Sequence, residues 1–142
     1  MTPLTPRRRV NLAPGLIDAL LAQAGARPHE EICGLIGGHG GRLVHGYPVA
    51  NVAPERRRLF ELDPRGHFDA LRAMGEAGEA FVGIYHSHPV GPAWPSETDV
   101  RLCEYPDAVH VIIALAPSDG ARVRAFSLRN RAVQELGLDL PL

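Results

Sequence analysis

The chain contains no lysine, and all fifteen of its basic residues are arginine. That absence excludes Schiff-base catalysis, lysine general-base chemistry and the phosphate-gripping lysine of a P-loop. Cysteine is scarce: Cys33 and Cys103 stand far apart, with no Cys-x-x-Cys spacing. Two are too few for a disulfide scaffold, so free, buried thiols and a cytoplasmic setting are expected. There is no excess of one charge either, with 15 basic against 16 acidic residues and a net charge of −1. Such a balance argues against a partner bound through a nucleic-acid backbone. No apolar run approaches the roughly eighteen residues that would cross a membrane. The basic cluster Arg7-Arg8-Arg9 is followed only by Val10-Asn11-Leu12-Ala13-Pro14, which is not the apolar stretch of a secretory signal. Internal repeats and low-complexity tracts are also missing.

What is present is a globular composition over 142 residues, 45% apolar and 22% charged. One domain spanning residues 1–142 is expected, large enough to bury roughly 70% of its unfolded surface. Thirteen prolines and fifteen glycines divide it into short elements. Pro14 suits the first turn of a helix, and Leu16, Ile17, Leu20, Leu21 and Ala24 follow at helical spacing up to about Gly25. Ile32 to Gly37 reads as a strand, with Arg42 to Val49 its antiparallel partner across a glycine-rich turn. Leu59 to Leu62 is a further strand candidate. Phe68, Leu71 and Met74 mark a second helix after Pro64. Phe81 to His88 is a strand stopped by Pro89, and Ser96 opens a third helix to about Glu104. Val109 to Leu115 and Val123 to Leu128, joined through a Ser118-Asp119-Gly120 turn, complete the set. The order implies an α/β fold with a single mixed β-sheet flanked by helices.

Seven histidines remain as a source of chemistry, and two stand apart. His86 and His88 are two apart on an expected strand, so both imidazoles leave the same face. Pro89 ends the strand, and a loop of seven residues with three prolines leads to Ser96 and then Asp99. Asp99 would supply an anionic third ligand from the first turn of the following helix. Three protein ligands leave a fourth tetrahedral position open, the arrangement of catalytic rather than structural zinc. Other readings stay open at this point. Ser96-Glu97-Thr98-Asp99 also satisfies a capping box, so Ser96 can act as an N-cap, a catalytic donor or both. Glu31, taken by itself, is an acid in front of a strand. His29, His39, His45, His67 and His110 have no partner at ligand spacing.

The string His86-Ser87-His88-Pro89, seven residues, Ser96, two residues, Asp99, preceded by Glu31, resembles the signature of the JAMM (MPN-plus) zinc metallopeptidases. The resemblance implies the JAB1/MPN (cytidine-deaminase-like) architecture. It implies Zn2+ held by His86, His88 and Asp99, with Glu31 as general acid/base and Ser96 as donor to the oxyanion. It implies hydrolysis of a peptide or isopeptide bond with no covalent intermediate, so Cys33 is a core residue and not a nucleophile.

Only nine residues separate Asp99 from the strand at Val109, which leaves no space for linkage-specific insertions. The chain therefore resembles the compact prokaryotic branch. That branch implies a ubiquitin-like or sulfur-carrier protein substrate with a Gly-Gly tail, lying along a sheet edge. No nucleic-acid or membrane partner is expected, and a homodimer is left open. Trp94 would either wall the tail groove or pack on the core, and Arg56-Arg57-Arg58 reads as solvated surface. Two rival classes share these residues. A two-histidine-one-carboxylate iron oxygenase gives Glu31 and Ser96 no task. A silent binding scaffold does not require the ligands to be kept.

Overall fold

The computed structural model describes residues 8–117, 120 and 122–140. Met1 to Arg7 and Ser118-Asp119 of the expected turn lie outside the described residues. The elements run β1 (Arg9–Leu12), α1 (Leu16–Ala26), β2 (Cys33–His39), β3 (Arg42–Val49), α2 (Pro64–Glu76), β4 (Ala80–His88), α3 (Glu97–Arg101), β5 (Val109–Ala114), β6 (Val123–Ser127) and β7 (Gln134–Asp139). The sheet is mixed, in the order β1-β3-β2-β4-β5-β6-β7, and it closes on itself because β1 also pairs with β7. Both β1 pairings and the β4–β5 pairing are parallel; the others are antiparallel. No helix among the described residues is long and apolar enough to cross a membrane.

The expected mixed sheet with flanking helices is present, with differences that have physical causes. Pro14 lies before α1, not in it: Gly15 is the N-cap, at φ 83, a left-handed turn that Gly enters at no steric cost. The segment Leu59 to Leu62 is not a strand and makes one antiparallel bridge, Asn51 with Leu62. Phe68 and Leu71 mark α2 correctly but stay exposed, while Ala70 and Met74 are its buried residues. Asp63 caps that helix, accepting from Gly66 N–H at 3.1 Å, with Pro64 in the first turn. α3 stops at Arg101, short of Glu104. Cys33 is buried, but Cys103 is half-buried.

Strand alternation distributes the core over two faces. Ile36, Tyr85, Val111 and Ile113 pack with Leu16, Leu20 and Ala24 of α1. Cys33, Leu35 and Ile84 face the other way, onto Ala70 and Met74 of α2. Cys33 pairs with His86 and Leu35 with Ile84, so the His86–His88 face is continuous with the α2 side. A third cluster of Ala93, Ile112, Ala114, Phe126 and Leu128 supports the proline-rich loop after β4.

Gly34 marks the tightest approach in this region. A Cβ there would lie 2.4 Å from the Tyr47 carbonyl oxygen and 2.4 Å from the Tyr85 hydroxyl. That hydroxyl donates to Gln23 of α1, whose Nε2 donates in turn to the Cys33 carbonyl at 3.2 Å. Gly34→Ala is therefore expected to cost about 3 kcal/mol, read as a lowered urea midpoint. An unchanged midpoint would show that β2 and β3 can separate without penalty.

Candidate metal centre

The β2–β4 register brings Glu31 to the histidines. Cys33 pairs with His86, so two residues further along the antiparallel ladder Glu31 falls opposite His88, on the same face. Ser87, between the histidines, points to the opposite face and is fully buried. Its Oγ accepts from Ile32 N–H at 2.9 Å and donates to the Glu30 carbonyl at 3.4 Å. Its own N–H donates to the Ile32 carbonyl at 3.0 Å. The chain carrying Glu31 is thereby fastened to β4 beyond the end of the regular ladder.

The proline-rich loop then returns α3 over the strand end. Ser96 and Asp99 form a complete capping box: Ser96 Oγ accepts from Asp99 N–H at 3.0 Å, and Ser96 N–H donates to Asp99 Oδ2 at 2.8 Å. The cap uses a lone pair of the Ser96 hydroxyl and leaves its O–H proton available. Asp99 Oδ2 lies 3.2 Å from both His86 Nε2 and His88 Nε2, which are themselves 3.2 Å apart. Glu31 completes the group, with one ligand atom from each of the four residues lying within 4.8 Å of every other. The side chains of His86, Asp99 and His88 are 4%, 5% and 10% exposed, and Glu31 is 4% exposed.

These residues fit a divalent cation on three grounds. The edge of a tetrahedron with bonds near 2.0 Å is about 3.3 Å, close to the triangle formed by the two nitrogens and the carboxylate oxygen. His88 Nδ1 sits 2.9 Å from the Pro92 carbonyl and carries a proton, so in the neutral ring that a cation requires the Nε2 lone pair faces the group. Glu31 Oε1 is buried with no hydrogen-bond partner among the described residues, a state that natural interiors avoid unless a further group meets it.

The electrostatics divide the two carboxyls. Burial pushes Glu31 up to about 7, helped by Asp99 and opposed by the two histidines. Burial also works against Asp99, but the His86 charge and the hydrogen bonds from His86, His88 and Ser96 hold it well below the usual carboxylate range. Burial would lower His88, yet its bonds to Asp99 and Pro92 leave it raised. One acid therefore keeps its proton near neutrality while its neighbour stays ionised.

A stability test follows from the raised Glu31. In metal-free protein the folded state holds a proton that the unfolded chain releases above about 4.5, so stability falls as pH rises through about 7. The loss amounts to about 3 kcal/mol, and Glu31→Gln should remove it. Denaturant titrations of chelator-treated protein at pH 5 and pH 8 read the difference. An identical pH slope in both proteins would contradict the burial argument.

The other candidate residues are accounted for without a metal. Cys33 Sγ donates to the Val49 carbonyl at 3.3 Å, and burial, with Glu31 nearby, pushes the thiol up to about 12. His45 bonds Glu79, His67 bonds the Tyr105 hydroxyl, and His110 donates to the Tyr105 carbonyl at 2.8 Å. None of the remaining five histidines joins the four-residue group. Trp94 packs on the core, its ring meeting Phe126 edge-on at 5.0 Å, while 44% of the residue stays exposed. Phe60 is a wall that strand reading of Leu59–Leu62 missed, its ring stacked on His86 at 4.5 Å and 22°. Beside it, a 220 Å³ cavity runs along His86 and Asp99 between Leu59–Leu62 and Leu102–Glu104. Nothing in local periodicity points to Phe60; it reaches His86 only through the returning loop.

Comparison with known proteins gives a consistent result. The chain is 38% identical over 110 residues to the desampylase of Haloferax volcanii, covering 73% of this chain and 79% of that protein. It is 34% identical over 122 residues to the CysO-cysteine peptidase of Mycobacterium tuberculosis, covering 84% and 83%. The solution structure of protein DSY2949 from Desulfitobacterium hafniense superposes with a TM-score of 0.80 at 32% identity, covering 93% and 92%. Residues 13–129 match the model for prokaryotic homologs of the JAB domain, a span that includes Glu31, His86, His88, Ser96 and Asp99, and the chain belongs to that family.

Proposed function

We propose that this protein is a zinc peptidase of the JAMM type that hydrolyses the bond following the C-terminal Gly-Gly of a ubiquitin-like or sulfur-carrier protein. The observation that carries the reading is the buried, unpartnered carboxyl of Glu31 inside a His-His-Asp group. An iron site of two histidines and a carboxylate gives that carboxyl no task. The substrate class is supported by the relatives, whose names describe a desampylase and a peptidase acting on CysO-cysteine.

His86, His88 and Asp99 would hold the ion, with Pro92 and Ser96 fixing the orientation of two of them. Zinc bound there supplies a Lewis acid for the scissile carbonyl and lowers the pKa of a coordinated water to about 7. Glu31 accepts the proton of the attacking water at its carboxylate and returns it to the departing amine. Burial raises this carboxyl in the metal-free site, and a dication beside it would favour the ionised form that accepts the proton. The Ser96 O–H donates to the oxygen on which negative charge develops, its position already fixed by the cap. Phe60 shields the His86 ring from solvent on one side.

Intact-mass spectrometry tests the proposal, using a sulfur-carrier protein fused after its Gly-Gly to a reporter peptide. Scission immediately after the second glycine, stopped by a chelator and restored by zinc, is the expected result. Cleavage at another position, or no metal dependence, would overturn it.

A further inference from the structure

Asn51 follows β3, and its side chain uses its full hydrogen-bonding capacity on main-chain groups. Nδ2 donates to the Glu31 carbonyl at 2.9 Å and to the Leu59 carbonyl at 3.0 Å. Oδ1 accepts from Ala53 N–H at 2.9 Å and from Glu61 N–H at 3.0 Å. The partners belong to two segments that meet at the four-residue group. Glu31 carries the unpartnered carboxyl, and Leu59 to Glu61 carry Phe60 onto the His86 ring. The loop between them folds back through Val52 N–H to the Glu61 carbonyl at 2.9 Å. The same loop takes the other half of the Glu31 peptide, since Glu31 N–H donates to the Arg56 carbonyl at 2.7 Å. Both main-chain groups of Glu31 are thus held by residues 51–56, and neither belongs to the regular β2–β4 ladder.

We propose that Asn51 is a positioning residue for Glu31, fixing the peptide from which the proton-transferring carboxyl projects and tying it to the segment that carries Phe60. The proposal rests on the hydrolytic reading for its kinetic consequence, though not for its structural one. Asn51 has no bond to His86, His88 or Asp99, which come from β4 and α3, so its removal should spare ion binding. A misplacement of about 1 Å in a reacting group can cost about 10²-fold in rate.

Two variants separate the halves of the amide. Asn51→Ala removes all four bonds. Asn51→Asp keeps an acceptor for Ala53 and Glu61 but turns a second carboxylate oxygen toward the Glu31 and Leu59 carbonyls. In the zinc-loaded enzyme acting on the carrier–reporter fusion, both are expected to lower kcat by about 10–100-fold. KM should stay within about twofold and zinc at one per chain, because neither substrate-binding walls nor ligands are removed. A wild-type kcat in Asn51→Asp, or loss of zinc in either variant, would overturn the proposal. Amide hydrogen exchange gives a readout that needs no turnover. Exchange of the Glu31 N–H is expected to quicken by about tenfold or more in both variants, while Ile84 and Tyr85 of β4 keep their protection. Unchanged protection at Glu31 would overturn the proposal by itself. A wild-type enzyme that fails to cleave the fusion would count against the hydrolytic reading, and the exchange measurement would still decide the role of Asn51.

Discussion

Glu31→Gln is expected to lower kcat/KM by about 10²–10⁴-fold, the range for loss of a positioned general acid/base. Zinc content should stay at one ion per chain. Glutamine keeps the size and burial of the side chain but can neither take a proton from water nor return one to an amine. The residues proposed as ligands have their own supports: Pro92 for His88, and the Ser96 cap for Asp99. Neither support passes through the Glu31 side chain, whose Oε1 has no partner among the described residues. Steady-state kinetics and metal analysis on the same preparation check the expectation. Activity within tenfold of wild type would remove Glu31 from the reaction, and loss of zinc would make it a ligand.

His88→Ala is expected to lose the metal outright. It removes one corner of the 3.2 Å triangle and leaves Asp99, held ionised partly by both imidazoles, with a single histidine in a buried setting. The Pro92 carbonyl also loses the N–H that fixes the ring. A ligand that binds only the folded state stabilises it by about 4 kcal/mol at a thousandfold excess over Kd. Zinc should therefore raise the thermal midpoint of the wild type and leave that of His88→Ala unmoved. Metal analysis after dialysis gives the complementary reading, one ion against none. Retention of a full equivalent of zinc by the variant would show that His88 is not a ligand.

Much of the site is readable from local order, because three of its residues are set by short-range geometry. A two-residue strand period puts His86 and His88 on one face, and a capped helix start presents Asp99. Glu31 is different, since its place opposite His88 depends on the pairing of β2 with β4, a register no local pattern encodes, and the family resemblance supplies only its expected role. Asn51 and Phe60 are less legible still. Asn51 reaches Leu59 and Glu31 across eight and twenty residues, Phe60 meets the distant His86, and a lone asparagine after a strand carries no periodic signal. In the fold, the helices and central strands are legible from their apolar spacing. Closure of the sheet is not, since β1 has four residues and β7 carries Gly137 and three polar residues. Such short segments are held by long-range pairing that no local pattern encodes.

The absence of lysine bears on the chemistry as well. With no amine side chain available, every proton transfer in this site falls to carboxylates, imidazoles, hydroxyls or water. Among the four clustered residues Glu31 is the one with an unpartnered buried oxygen, and it is the group proposed to carry the proton.

Titrating zinc into metal-free protein, while following cleavage of the carrier–reporter fusion, tests the central claim most directly. The expected result is no cleavage at the outset, a linear rise with added zinc, and a break at one ion per chain. Full cleavage before zinc is added, or no cleavage at any ratio, would contradict the assignment of Glu31, His86, His88 and Asp99 to a single hydrolytic metal centre.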